Sequence, residues 1–162
     1  MARGKSKVPE KRIEILLAEW HREVIMKTVL VVAAHPDDEI LGVGGTVAWH
    51  VAEGDCVYAL ILGEGQTSRG MHREDMGREV VEQLHQNTME SAKAVGYKDV
   101  FFADFPDNRF DQVDLLDIVK VVEKYIKECK PQIIYTHFSG DLNIDHQYTV
   151  RAVLTATRPI GT

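Results

Sequence analysis

Apolar positions along the chain alternate between two periods. Residues 28–34 (Thr-Val-Leu-Val-Val-Ala-Ala) form an unbroken run of small and β-branched side chains, which predicts a buried strand. Residues 56–62, 99–103 and 132–136 repeat that signature in shorter form. Between them the spacing is helical: residues 38–53, closed by Gly54; 78–95, closed by Gly96; 113–130, stopped by Pro131; and 147–157. Strand alternating with helix predicts parallel βαβ units with right-handed crossovers. The fold class is therefore α/β, a mostly parallel sheet between helices. Within the helices, Trp49 and His50 are expected to be packing or surface residues, and His85 is expected on a solvent face.

One helical pattern precedes the first strand. In residues 9–25, Ile13, Leu16, Leu17, Trp20 and Val24 share one face, and Pro9 suits a first helical turn. The chain thus divides into an extension, residues 1–25, and a domain, residues 26–162. The apolar stripe of the extension must bury itself on the domain or on a second copy of the chain, so a homo-oligomer is one expected arrangement.

Polar chemistry gathers where the strands end. The first strand runs straight into His35-Pro36-Asp37-Asp38-Glu39. In an open parallel sheet, ligands bind just beyond the carboxyl ends of the strands. Crowded carboxylates repel and raise one another's pKa, and a bound cation removes that cost. Nitrogen with carboxylate oxygen suits zinc or another divalent transition metal better than calcium or magnesium. A helix cap by Asp37 or Asp38, with Glu39 at the positive helix end, explains one acid but neither His35 nor the second aspartate. Gly42, Gly44 and Gly45 do not make a dinucleotide fingerprint, because that motif needs its glycines in the turn directly after the strand. They are expected to allow close packing on the sheet instead.

A second burst follows the fourth strand: His137, Asp141, Asn143, Asp145 and His146, ahead of the last helix. His35, one aspartate of the first pair and His146 supply three ligands and leave a position open, as catalytic metal sites require. The remaining aspartate is then placed to take a proton from water.

Composition narrows the functional classes. The 162 residues suffice for one domain with a core, and 44% hydrophobic with 27% charged residues describes a soluble globular chain. The net charge of -6 argues against a nucleic-acid partner that depends on neutralising phosphate. No apolar run approaches a membrane span and no signal peptide is visible. Cys56 and Cys129 form no metal-type pair and are expected as reduced thiols in a cytoplasmic protein.

The two bursts, Ala34-His35-Pro36-Asp37-Asp38-Glu39 and His137-x-x-x-Asp141-Leu142-Asn143-x-Asp145-His146, resemble the PIG-L/LmbE family of zinc-dependent N-deacetylases. The resemblance extends from Lys27 to the end of the sequence. It implies a Rossmann-like fold and removal of acetyl from N-acetylated sugars or sugar conjugates. It implies His35, Asp38 and His146 as zinc ligands, Asp37 as general base, and Asp145 as an orienting carboxylate behind the ligands. By the same resemblance Arg69, Asp107 and Asn108 line the sugar pocket. Some members carry His where this chain has Asn143. Asn can donate a hydrogen bond to substrate but cannot act as an acid, which leaves His137 as a candidate proton donor. Family members usually continue well past the last helix, so the resemblance implies that the final strands and part of the substrate wall lie outside this sequence.

Overall fold

A computed structural model of the chain describes residues 26–66, 68 and 77–159. The expected helix over residues 9–25, the extension as a whole, and Arg69 lie outside the described residues.

Four strands form one sheet: β1 (Thr28–Ala33), β2 (Cys56–Gly63), β3 (Asp99–Phe105) and β4 (Ile133–Tyr135). Their spatial order is β3-β2-β1-β4, and every neighbouring pair is parallel. The crossovers are made by α1 (Asp38–Leu41) with α2 (Gly44–Ala52), by α3 (Arg78–Val95) and by α4 (Leu115–Cys129); α5 (Ile144–Ala156) follows β4.

Strand alternation sorts β1 onto two cores. Leu30, Val32 and Ala34 join Leu60 and Leu62 against Ile118, Val119 and Val122 of α4 and Ala152 and Val153 of α5. Val29, Val31 and Ala33 join Ala59 and Ile61 against Val47 of α2 and Ala92 of α3. A strand covered on both faces must be apolar throughout, which is why residues 28–34 read as a continuous run. The result is the three-layer α/β architecture anticipated from the sequence. None of the described helices is long and apolar enough to cross a membrane.

Three details differ from expectation. The helix after β1 is broken, with Gly42 closing α1 and Val43 (φ -140°, ψ 3°) preceding α2. A Cβ on Gly45 would meet nothing within 4 Å and one on Gly44 only an ordinary contact, so these glycines mark the break and are not packing sites. His85 is not on a solvent face: its ring stacks on Phe102 at 3.9 Å. The fourth strand is only three residues long, and where it leaves β1 the His137 Nε2 accepts the Ala34 N–H at 2.8 Å, replacing a ladder bond.

Glycine is demanded at two places. Gly96 (φ +105°) ends α3 where a Cβ would lie 2.8 Å from Val51. Gly65 (φ +63°), just past β2, would bring a Cβ within 2.9 Å of the Pro36 ring. The second of these lets the β2 loop close onto the turn that carries Asp37 and Asp38. Because the sheet is parallel, the loops after β1, β2, β3 and β4 all emerge at one edge, and they meet there.

Candidate metal centre and active site

His35 leaves β1 and turns at once into α1. Its backbone N–H donates to Asp38 Oδ2 at 2.9 Å, closing the turn. Its ring Nε2 lies 3.0 Å from Asp145 Oδ2 and 3.3 Å from Asp107 Oδ1. An ionised carboxylate only accepts, so Nε2 carries a proton, and Nδ1 is the nitrogen left to face a cation once its own proton is displaced. That Nδ1 is 3.5 Å from Asp38 Oδ2.

His146 arrives from the other side, in the first turn of α5. Its Nδ1 lies 2.9 Å from Asp141 Oδ2, so the same logic leaves Nε2 as the acceptor. This Nε2 is buried and has no hydrogen-bond partner, and it sits 3.4 Å from Asp38 Oδ2. A buried nitrogen without a partner is costly, and a cation satisfies it. Ligand atoms held tetrahedrally at zinc distances lie roughly 3.3 Å apart, close to the two separations seen here. His35, Asp38 and His146 therefore fit a divalent transition metal on donor chemistry, tautomer and spacing.

The carboxylates behind these ligands are more numerous than the sequence suggested. Asp145 is fully buried; besides His35 it accepts the backbone N–H of Asn108 (2.7 Å) and of Phe110 (3.0 Å). It orients His35, while Asp141, to which no role was assigned from the sequence, orients His146. The signal for Asp141 was its place five residues before the end of the motif, in a loop that folds back on the helix start. Asp38 is drawn two ways. Burial pushes its pKa up, but hydrogen bonds from His35 and the nearby His137 and His146 rings outweigh it and hold it low.

Asp37 stands apart from the ligand group. Among the described residues, one three-donor grouping contains Asp38 and none contains Asp37. Asp37 instead lines a cavity of about 270 Å³ together with His35, Pro36, Asp107, Asn108 and Asn143. Its backbone is strained, at φ 115° and ψ -30°, a conformation that L residues adopt rarely and most often at functional sites. It occupies the N-cap position of α1, yet its side chain makes no capping hydrogen bond. The helix-cap explanation of this acid is thus not realised.

The residues expected to bind sugar divide in the structure. Asn143 caps α5, its Oδ1 accepting the Asp145 N–H at 2.9 Å, and its Nδ2 remains on the cavity side, 3.4 Å from Asn108 Oδ1. Asn108, at φ 52°, lines the same cavity. Asp107 is almost wholly buried and both its oxygens are engaged, Oδ2 by the N–H and hydroxyl of Ser68 and Oδ1 by Asn108 Nδ2. It ties the β2 and β3 loops together beneath the cavity. His137 stacks on His146 at 3.9 Å, and its Nε2 is occupied by the Ala34 N–H. Burial lowers its pKa to about 4, so it is neutral at pH 7 and Nε2 holds no proton to give.

The chain is similar to known proteins in sequence and in fold. Residues 30–157 match the family model described as PIG-L, GlcNAc-PI de-N-acetylase. The chain belongs to the PIG-L family. A curated PIG-L relative, the probable N-acetyl-alpha-D-glucosaminyl L-malate deacetylase 2 of Bacillus cereus, is 30% identical over 131 residues, covering 79% of this chain and 60% of that protein. Among solved structures, the N,N'-diacetylchitobiose deacetylase of Pyrococcus horikoshii superposes with a TM-score of 0.68 at 19% identity, covering 95% of this chain and 60% of that one. The 4-carboxy-2-hydroxymuconate hydratase GalB of Pseudomonas putida KT2440 gives a TM-score of 0.68 at 24% identity, covering 81% and 55%. The chain therefore spans somewhat over half the length of these proteins. The last two likenesses establish the PIG-L fold alone, and they show it carrying two different reactions.

Protonation of His35 gives the candidate metal centre a measurable signature. Burial alone would lower its pKa, but hydrogen bonds to Asp145 and Asp38 and the charges of Asp38 and Asp107 raise it to about 9. Metal-free protein at pH 7.5 therefore carries His35 protonated, and a cation must displace that proton from Nδ1. Zinc binding is expected to release about one proton per chain at this pH, and affinity should fall as pH drops further below 9. Calorimetric titrations in buffers of different ionisation enthalpy measure the released proton directly.

Proposed function

We propose that this protein is a metal-dependent hydrolase, with zinc as the metal, that removes the N-acetyl group from an N-acetylated sugar or sugar conjugate. The observation that carries the reading is the His35–Asp38–His146 group, with its unpartnered Nε2, opening beside Asp37 at a polar cavity. A cation held by these three residues supplies Lewis acidity toward an amide carbonyl and toward water.

The chain's own residues supply the rest. Asp37 takes the proton of the attacking water on its carboxylate and delivers it to the departing amine. Asn143 Nδ2 and the Asn108 side chain face the cavity and orient the sugar hydroxyls and the acetamide. Asp145 and Asp141 hold the two histidines in the tautomers that leave their inner nitrogens basic. His137 acts as a wall and a backbone brace, and Asp37 is the proton donor as well as the base.

Incubating zinc-loaded protein with N-acetylglucosamine, N,N'-diacetylchitobiose and N-acetylglucosaminyl malate tests this. Acetate and free amine should appear together in equal amounts, and chelation should stop both. Binding of these sugars without acetate release would instead make the protein a metal-dependent sugar binder.

A further inference from the structure

Glu39 is one of the largest fully buried side chains, at 1% exposure, and it is charged chemistry in an otherwise apolar position. Its Oε2 accepts the backbone N–H of Asp37 at 2.9 Å, while its Oε1 is buried without a hydrogen-bond partner. Its own carbonyl is held from above by the Tyr97 hydroxyl at 2.8 Å, a buried bond that ties α1 to the turn between α3 and β3. Burying a carboxylate in this way opposes stability, and an apolar residue of the same shape would cost the fold less.

The contact resembles half a capping box, made from the second helical position instead of the third. In the full motif, the N-cap side chain bonds forward to a helix N–H while an acid in the first turn bonds back to the N-cap N–H. Here only the backward bond exists. Glu39 satisfies the Asp37 N–H, and the Asp37 side chain makes no capping bond. Asp37 is at the same time the residue held at φ 115°. Such a conformation persists only where neighbouring groups over-determine it.

We infer that Glu39 is a positioning residue for Asp37: its buried carboxylate holds the Asp37 backbone in the strained turn, keeping the catalytic carboxylate off the helix cap and aimed at the cavity. This rests on the proposed role of Asp37 as general base. The neighbouring ligand Asp38 takes its orientation from the His35 N–H instead, so the two adjacent aspartates are set by separate anchors.

The test compares Glu39→Met, which keeps bulk and removes the acceptor, with Glu39→Gln, which keeps an acceptor oxygen. Each is loaded with zinc and assayed for acetate release from N-acetylglucosaminyl malate, with metal content measured on the same samples. Glu39→Met should lose about 10- to 100-fold in kcat, the scale of a misplaced catalytic group, with KM and metal content near the parent values. Glu39→Gln should recover most of that loss. In an Asp37→Asn background, Glu39→Met should have almost no further effect, because there is no base left to aim. Full kcat in Glu39→Met, or an equal fractional loss with and without Asp37, would overturn the inference. If Glu39→Met does not fold, Glu39→Ala carries the same comparison. Full turnover in Asp37→Asn alone removes the underlying reading, whereas a disabled Asp37→Asn with an unimpaired Glu39→Met removes only the positioning role.

Discussion

His146→Ala is expected to strip the metal and with it all measurable hydrolysis, while leaving the fold in place. His146 lies in the first turn of α5 and is partly buried at the site edge, away from the apolar clusters that join α5 to the sheet. Its Nε2 makes no hydrogen bond in the protein, so its removal leaves no backbone donor or acceptor stranded. What is lost is one of three ligands. His35 and Asp38 remain, two donors drawn from one turn, too few for a structural or catalytic zinc site. Elemental analysis after dialysis should find the variant essentially metal-free, with a thermal transition close to that of the metal-free parent. The carboxylate behind the ligand gives a graded companion. Asp141→Ala keeps Nε2 but frees the ring and its tautomer, and it should weaken metal affinity by about 10- to 100-fold. Full metal occupancy in His146→Ala would overturn the ligand assignment: the grouping through His137 and Asp141 contains His146 too and could not rescue it, so retained metal would point to the grouping of His35, Asp107 and Asp145.

What the sequence disclosed, and what it hid, follows from the range of the interactions involved. Strand β1 and the turn after it were legible because both signals are local: a strand apolar on both faces, then polar residues at its carboxyl end. The pairing of His35 with His146 was legible only because two separate bursts had to share one sheet edge once the strands were parallel. The family resemblance implies only that Asp107 lines the sugar pocket; it does line the cavity, but its oxygens are also taken by Ser68 and Asn108 within the fold. That bond crosses 39 residues and leaves no local trace. Asp145 gathers its backbone donors from Asn108 and Phe110, again across more than 30 residues. Asn143 was credited with substrate contact alone, although an Asn immediately before a helix start is the commonest kind of cap.

Glu39 shows the limit most clearly. Read along the sequence, an acid in the first turn of a helix favours the positive end of its dipole and faces solvent. In the structure it turns inward and bonds back two residues to the N–H of Asp37, whose backbone conformation no local propensity predicts. The break between α1 and α2 is hidden in the same way. Gly42 closes the first piece, and the carbonyl of Glu39 within it is taken by the Tyr97 hydroxyl, a contact from outside the local sequence. Strained positions and buried polar groups are where local reasoning is expected to fail at functional sites.

Asp37→Asn should keep the metal and lose about 10²-fold or more in kcat, the scale of a general base. The two states of that experiment are separable because the adjacent aspartates have different surroundings. Asp38 belongs to the three-donor group, whereas Asp37 lines the cavity beside it. Asparagine tolerates positive φ better than most residues, and its N–H still meets Glu39, so the turn should survive the substitution. Its amide cannot take a proton from water, so attack on the carbonyl slows while sugar binding persists. KM should therefore change much less than kcat, as expected when an interaction made only in the transition state is removed. His137 cannot stand in, because its Nε2 is committed to the Ala34 N–H and burial keeps the ring neutral. Zinc content and acetate release measured on one preparation decide the matter. Loss of metal would make Asp37 a ligand, and near-normal turnover with metal retained would place the base on another carboxylate of the site.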